Sequence, residues 1–450
     1  MAKENKVHYV CSHCSFSSSK WYGQCPECGE WNSFEEISND VENSVSVKAD
    51  LNAKTVPLAS VSYDNNFRFK SGIDELDRVL GGGIVQSSAV LIGGEPGIGK
   101  STLMIQLAAS CSAKGKVVYV SGEESASQVK QRADRLGLNG NKIGILCETK
   151  LEKILGVLES EKPQVMIIDS LQTLVSSLAM SVAGSVTQMR NCSMELISAA
   201  KRLGTAVFFV AHVNKEGTIA GPKIVEHMVD TVVYFESAAT GVRFLRSIKN
   251  RFGSVDEIGI FTMSEKGLEG VKDPTSFFIS QREGKVIPPG IAYTAVVEGS
   301  RTFLVEIQAL VVDAKTGYGR VYSDKIDSSR VQRIAAILEK HASVRLVDKD
   351  IYVNVAGGVK VNEVSSDLAI AVALWSAARE TVIPSGMVSF GELSLAGEVR
   401  PVSFAEKRIK AAKEMGFSKV EIPYSMSIKT SMLVKPCKTV AEALKFKTNS

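Results

Sequence analysis

Hydrophobic and polar positions divide the chain into four stretches. The first 35 residues are largely polar and carry a knot of cysteines rather than a periodic apolar run. Residues 36–55 are rich in Asn, Asp, Ser and Glu without apolar periodicity, the composition of a linker. From residue 56 the pattern changes to short β-branched runs, at 89–92, 116–120, 165–168, 206–210 and 231–234, separated by longer segments of helical spacing. Apolar runs alternating with helices predict an α/β fold, a parallel sheet covered by helices on both faces. Paired prolines and polar residues interrupt this pattern at 273–289. A second α/β unit follows, with strands near 293–297, 303–312 and 351–355 and helices near 329–340 and 367–379. The expected domains are a module at 1–35, a linker at 36–55, a first α/β domain at 56–273 and a second at 274–450.

Composition narrows the class. Of 450 residues, 44% are apolar and 23% charged, the balance of a globular protein rather than a disordered one. A net charge of +4 is mild at this length, so any nucleic-acid site has to be local. No stretch approaches the roughly 18 uninterrupted apolar residues of a membrane helix. The polar start lacks the apolar segment of a secretion signal, so the expected compartment is the cytoplasm, with no membrane partner.

Four of the eight cysteines fall between residues 11 and 28, and in a reducing cytosol such a cluster points to metal rather than to disulfides. Cys11-x-x-Cys14 and Cys25-x-x-Cys28 are two turns separated by ten residues, and they supply the four sulfur ligands of a structural zinc ion. His8 and His13 are bystanders to a filled shell. Cys111, Cys147, Cys192 and Cys437 are scattered and read as small core hydrophobes.

The candidate chemistry lies in the first α/β domain. Gly94-Glu95-Pro96-Gly97-Ile98-Gly99-Lys100-Ser101, followed by Thr102, matches the phosphate-loop pattern between a predicted strand and a predicted helix. Its glycines let backbone N–H groups wrap the phosphates of ATP, Lys100 reaches the terminal phosphates, and the Ser101 hydroxyl holds Mg²⁺. Asp169, ending the apolar run 165–168, is the second magnesium-supporting residue. Glu123 and Glu124 end the strand after the phosphate-loop helix, at the ligand-binding edge of such a sheet. One of them, with Glu123 preferred, orients or deprotonates the attacking water.

Three further segments carry a family resemblance. Residues 71–83, with Gly72 and Gly81-Gly82-Gly83, are similar to the lead-in of RecA-like ATPases. Ala211-His212-Val213-Asn214-Lys215-Glu216-Gly217 and Lys249-Asn250-Arg251-Phe252-Gly253 resemble segments of the RadA (Sms) family of bacterial DNA-repair proteins. That resemblance implies a RecA-like P-loop ATPase core, a hexameric ring, movement along single-stranded and branched DNA, and action on recombination intermediates made by RecA. It also implies that His212 senses the γ-phosphate, that Lys249 and Arg251 reach a neighbouring subunit's γ-phosphate, and that loops 176–190 and 214–226, the second with Lys215 and Lys223, face DNA. The C-terminal unit resembles the protease domain of Lon, with Ser365 at the nucleophile position. An ungapped alignment puts Glu406 where Lon has its lysine base, and a one-residue slip offers Lys407. With Glu406 the dyad is broken and the domain is proteolytically inactive. Two competing functions remain, an ATP-dependent Lon-like protease and a clock-type regulatory ATPase acting on proteins.

Overall fold

The structure, a computed structural model, describes residues 8–11, 16–27, 29–37, 57–60, 67–138, 142–179, 181–212, 223–237, 241–271, 278–279, 287–315 and 319–446. The chain forms two compact units. One runs to Phe235 and adds Ser247–Gly253 and Glu265–Gly267; the other takes Glu236–Arg246, Ser254–Ser264 and everything from Leu268.

The first unit begins with three short strands, β1 (His8–Cys11), β2 (Ser17–Ser18) and β3 (Phe34–Ile37). β1 is central and antiparallel to both, with Tyr9 opposite Ser18 and Cys11 opposite Phe34. Cys11, Cys25 and Phe34 make up its small buried cluster, too little apolar surface to hold so short a segment unaided.

A lead-in of β4 (Arg68–Phe69), α1 (Asp74–Val79) and β5 (Ile84–Val85) precedes the main sheet. Alternating elements follow: β6 (Ala89–Gly94), α2 (Lys100–Ser112), β7 (Val117–Ser121), α3 (Ala126–Arg135), β8 (Ile143–Cys147), α4 (Leu151–Glu161) and β9 (Val165–Asp169). After them come α5 (Val186–Leu203), β10 (Ala206–His212), α6 (Lys223–Met228) and β11 (Thr231–Ser237). The parallel strands lie in the order β8-β7-β9-β10-β6-β11. β6, β7 and β9 are buried at every position, which is why their sequences are continuous apolar runs rather than alternating ones. β8 is the edge strand the apolar pattern does not announce: it is short, contains Gly144, and has Ile145 exposed.

The second unit opens with most of β12 (Val242–Asn250), antiparallel to β13 (Ile258–Ser264), and β14 (Gly267–Gly270). Val242, Phe244, Ile258 and Ile260 share a buried cluster with Phe278, Phe303 and Val305. That hairpin precedes the polar break at 273–289 in the chain, yet packing assigns it to the C-terminal unit. The unit continues through β15 (Ile291–Glu298), β16 (Arg301–Asp313), β17 (Val321–Ser323), α7 (Ser328–Ala342), β18 (Lys349–Val355) and α8 (Asp367–Ala378). Its last elements are β19 (Met387–Ser389), β20 (Glu392–Leu393), β21 (Val399–Arg400), α9 (Ala405–Glu414), β22 (Lys419–Pro423), β23 (Leu433–Cys437) and α10 (Val440–Ala443). They form a four-stranded sheet in the order β15-β16-β18-β17 and a three-stranded one in the order β19-β22-β23. No helix among the described residues is long and apolar enough to cross a membrane.

Candidate functional site

The parallel sheet brings the sequence candidates together at its C-terminal edge. Ser121 at the end of β7 is in register with Asp169 at the end of β9, and His212 at the end of β10 with Gly94 at the end of β6. Between them lies a cleft of about 300 Å³ lined by Gly97, Gly99, Lys100, Ser101, Thr102 and Asp169, with Glu123 and His212 opposite. Glu95 and Pro96 are exposed on the loop and Ile98 is buried beneath it. Gly99 caps α2 at φ 116°, a conformation that opens the first-turn N–H groups toward the cleft and that a side chain would resist.

Lys100 is only 3% exposed. Its ammonium donates to the carbonyls of Gly94 at 2.7 Å and Glu95 at 2.9 Å, and stands 3.3 Å from Nδ1 of His212. Burial pushes its pKa down to about 8, against the pull of Asp169, Glu123 and Glu95. Asp169 accepts a hydrogen bond from the buried Tyr119 hydroxyl at 2.5 Å, whose pKa is raised first by burial and then by Asp169. Glu123 accepts from the Ser170 hydroxyl at 2.5 Å, and Nε2 of His212 lies 3.4 Å from the same oxygen. Lys100, His212, Glu123 and Ser170 thus form one continuous polar chain across the cleft.

The two carboxylates ending β7 part company here. Glu124 pairs with Arg132 of α3 at 2.5 Å, which leaves Glu123 as the acid facing Lys100 and His212. Arg132 and Arg135 also line the cleft, and Nη1 of Arg132 is buried without a hydrogen-bond partner. An orphaned guanidinium nitrogen beside a buried lysine fits a polyphosphate ligand. Ser101 and Asp169 are the groups that would hold its Mg²⁺, a charge that would favour phosphoryl transfer when bound. Sequence reading missed Arg132, Arg135, Tyr119 and Ser170. An arginine on an amphipathic helix looks like any solvated cation until the fold turns it inward.

The loop expected at 176–190 is shorter than its sequence suggests, because α5 starts at Val186. Gln188, in the first turn of that helix, organises the loop: Nε2 donates to the carbonyls of Ser176, Ala179 and Ser181, and Oε1 accepts from the Ser176 N–H. Leu178 and Val182 stand 82% and 79% exposed at its tip, a large apolar exposure for a loop. Of the loop expected at 214–226, residues 214–222, including Lys215, lie outside the described residues, and residues from Lys223 are helical in α6.

Every residue of the turn 249–253 is tied to a neighbour. Lys249 spends its three donors on the carbonyls of Glu226 at 2.8 Å, His227 at 3.0 Å and Val229 at 2.8 Å, gripping the end of α6. Burial and then the charge of Arg251 lower its pKa. The Asn250 amide donates to Val79 O at 3.2 Å, and its oxygen accepts from the Phe252 N–H at 2.9 Å. Arg251 pairs with Asp230 through Nη1 at 3.0 Å. Arg68 bridges Leu80 O at 3.3 Å and Phe252 O at 2.7 Å. A Cβ on Gly253 would come within 2.9 Å of the Gly81 Cα, so the two glycine segments approach too closely for any larger residue.

In the N-terminal module, Cys11 and Cys25 are each 1% exposed and share one cluster. The Gly29 N–H donates to Cys25 O at 2.9 Å, closing the second cysteine turn. Cys14 and Cys28 lie outside the described residues. Two buried sulfurs in one small cluster fit a four-thiolate zinc site, with Cys11 and Cys25 as two ligands. Metal analysis is expected to find about one Zn²⁺ per chain, the stoichiometry of a single tetrahedral shell, and Cys25→Ala to release it. Protein that is fully active without metal would contradict this.

In the C-terminal unit, Ser365 is 2% exposed, and its hydroxyl donates to Glu363 at 2.6 Å. The same Glu363 oxygen takes Nη1 of Arg408 at 2.8 Å. Neither residue offered by alignment for the Lon lysine reaches this serine. Glu406 and Lys407 are exposed, and the Lys407 ammonium sits 5.0 Å from the Phe404 ring centroid. Ala405, Arg408, Ile409 and Ala412 form the buried stripe of α9, so helical spacing itself turns 406 and 407 outward. Ser365 is bonded to the Glu363 carboxylate, and Arg408 of α9 pairs with that same carboxylate rather than with the serine.

Together, the phosphate loop at a strand–helix junction, the acidic ends of β7 and β9 and the parallel sheet define a P-loop ATPase of RecA-like fold. Residues 69–154 match the family described as "ATPase: KaiC", residues 9–36 the rubredoxin metal binding domain, and residues 322–426 subunit ChlI of Mg-chelatase. A KaiC-like protein from Pyrococcus horikoshii is similar over 45% of this chain and 98% of its own, with 20% identity and a TM-score of 0.39. A "DNA repair protein RadA" from Treponema pallidum is 49% identical, over 94% of this chain and 93% of that protein. Proteins of the same name from Pseudomonas aeruginosa and Aquifex aeolicus are 43% and 42% identical, covering 94% and 98% of this chain and 94% and 99% of their own. The chain belongs to the RadA family of DNA repair proteins. It is a DNA-repair ATPase with an N-terminal zinc ribbon and a Lon-like C-terminal domain.

Proposed function

We infer that the chain is an ATP-driven motor of the helicase or branch-migration type, working in the cytoplasm as a homohexameric ring on single-stranded and branched DNA, and processing recombination intermediates with RecA. The observation that carries this reading is the placement of two functional groups at opposite edges of one sheet. The phosphate loop leaves the C-terminal end of β6, whereas Arg251 is held beside Ala89 at its start. Five residue steps separate those ends, about 17 Å at ~3.3 Å per residue. A cation that far from its own nucleotide suits service to a neighbour's, and a subunit that needs a neighbour suits a ring. The name of the relatives supports DNA as the track.

Within this reading Lys100 and the N–H groups of residues 94–102 hold the phosphates, Ser101 and Asp169 hold Mg²⁺, Glu123 activates water, and His212 reports the γ-phosphate. Of Lys249 and Arg251, Arg251 is the cation directed at the neighbour, while Lys249, bonded to the end of α6, holds the turn that carries it. Of the two, Arg251 is the one with donors to spare. The loop segments ahead of α5 and α6, within 176–190 and 214–226, face DNA. Along the chain the domains divide at 1–35, 36–55, 56–273 and 274–450, with the β12–β13 hairpin packed into the last.

The test is a single preparation assayed two ways. ATP hydrolysis is expected to rise severalfold on adding a single-stranded oligonucleotide. Unfolded casein is expected to remain intact with or without ATP, and Ser365→Ala to leave the DNA-stimulated rate unchanged. Hydrolysis indifferent to DNA would favour the protein-directed regulatory ATPase. Casein cleavage lost in Ser365→Ala would establish the protease.

A further inference from the structure

We propose that Asp230 is the positioning residue for Arg251, fixing the guanidinium that serves the neighbouring subunit; this rests on the trans reading above. Asp230 is 4% exposed and sits between the end of α6 and the start of β11. Its carboxylate is divided between two elements. Oδ2 accepts from the N–H of Ala89, the first residue of β6, at 3.0 Å. Oδ1 takes Nη1 of Arg251 at 3.0 Å, with the Lys201 ammonium 3.6 Å away. The backbone of Asp230 repeats the division: its N–H donates to Ala89 O at 2.9 Å, and its carbonyl accepts from the Arg251 N–H at 3.1 Å.

A buried carboxylate is costly unless charged or hydrogen-bonding partners compensate it, and these partners do so while holding one arginine at two points. The Arg251 side chain is still 54% exposed. It is therefore anchored through Nη1 with the rest of its planar fork turned to solvent, and less rotamer freedom is lost when that fork meets a phosphate. Asp230 also grips the strand that carries the phosphate loop at its far end. One six-residue strand thus bears a subunit's own nucleotide loop at one end and anchors its finger for the next subunit at the other.

The rival is that Asp230 only supports its own strand β6. Asp230→Asn separates the two, because an amide oxygen can still accept from Ala89 while the charge facing Arg251 and Lys201 is gone. Asp230→Asn is expected to lower kcat about tenfold or more with KM for ATP unchanged, the scale on which orienting partners act. The Asp230→Asn/Arg251→Ala double variant is expected to be no slower than Arg251→Ala alone. Mixed with Lys100→Ala subunits, Asp230→Asn is expected to regain activity, since its intact phosphate loop then faces an intact finger. Should the amide variant fail to fold, Asp230→Glu, which keeps the charge but displaces it by one methylene, is expected to behave the same way in the mixture. The proposal is overturned if kcat is unchanged, or if these mixtures stay inactive while the Arg251→Ala mixture recovers. If Arg251→Ala alone keeps full activity, the trans reading falls and takes the positioning role with it.

Discussion

ATP hydrolysis by a Lys100→Ala protein is expected to fall by about 10²- to 10³-fold or more, the loss that follows removal of one preorganised charge partner from a transition state. The geometry explains why no neighbour can substitute. The Lys100 ammonium is buried and aimed at the loop carbonyls and His212, whereas the nearby cations Arg132 and Arg135 come from α3 and Arg132 is committed to Glu124. Alanine at this position leaves helix α2 intact, so circular dichroism and zinc content should match those of the unaltered protein. The wild-type enzyme offers an independent check. Burial brings the Lys100 pKa down to about 8, so the ammonium predominates at pH 7 and is lost as pH rises through that value. A kcat/KM for ATP that declines above about pH 8 would report this group in the free enzyme. A folded Lys100→Ala protein with undiminished hydrolysis would remove the cleft from consideration as the site.

Lys100 was legible in the sequence because the phosphate loop is local. Eight consecutive residues fix the turn, the glycines and the helix start, and no distant contact is needed to recognise them. Asp169 was legible for a related reason, as the first polar residue after an apolar strand. The choice between Glu123 and Glu124 was not settled by sequence, because it depends on Arg132, a partner eight residues from Glu124 on another element. The same limit governs the C-terminal unit. Alignment offered Glu406 or Lys407 beside Ser365, whereas the buried stripe of α9 turns Arg408 inward, onto the Glu363 carboxylate that Ser365 also bonds. Helix α2 illustrates the reverse case. It is apolar on nearly all sides because it packs deep in the unit, so an amphipathic stripe would not have revealed it; the phosphate loop did. The hairpin of β12 and β13 lies ahead of the polar break at 273–289, but its allegiance to the C-terminal core is a matter of Phe278 and Phe303, beyond the reach of local pattern.

Arg251→Ala is expected to reduce hydrolysis by about 10³- to 10⁵-fold, the range for removal of an arginine that stabilises charge on a transferring phosphoryl group. Two features of the structure favour that size of effect over a modest loss of DNA affinity. Arg251 is anchored to a buried carboxylate instead of being left free on the surface, and its position at the start of β6 keeps it from its own phosphate loop. Lys249, two residues earlier, spends its donors on the end of α6, and so fixes the turn from which Arg251 projects. Mixing subunits separates the alternatives. A Lys100→Ala subunit is dead at its own loop but keeps its finger; an Arg251→Ala subunit keeps its loop but lacks the finger. If Arg251 acts across the interface, mixed rings contain some sites with an intact loop facing an intact finger, and hydrolysis partly returns. If Arg251 serves its own subunit's nucleotide, no site in any mixed ring is complete and hydrolysis stays absent. A third outcome, Arg251→Ala retaining its ATPase but losing salt-sensitive binding to DNA, would make Arg251 a phosphate contact on the track, since such contacts weaken steeply with ionic strength and leave the chemistry of the nucleotide untouched.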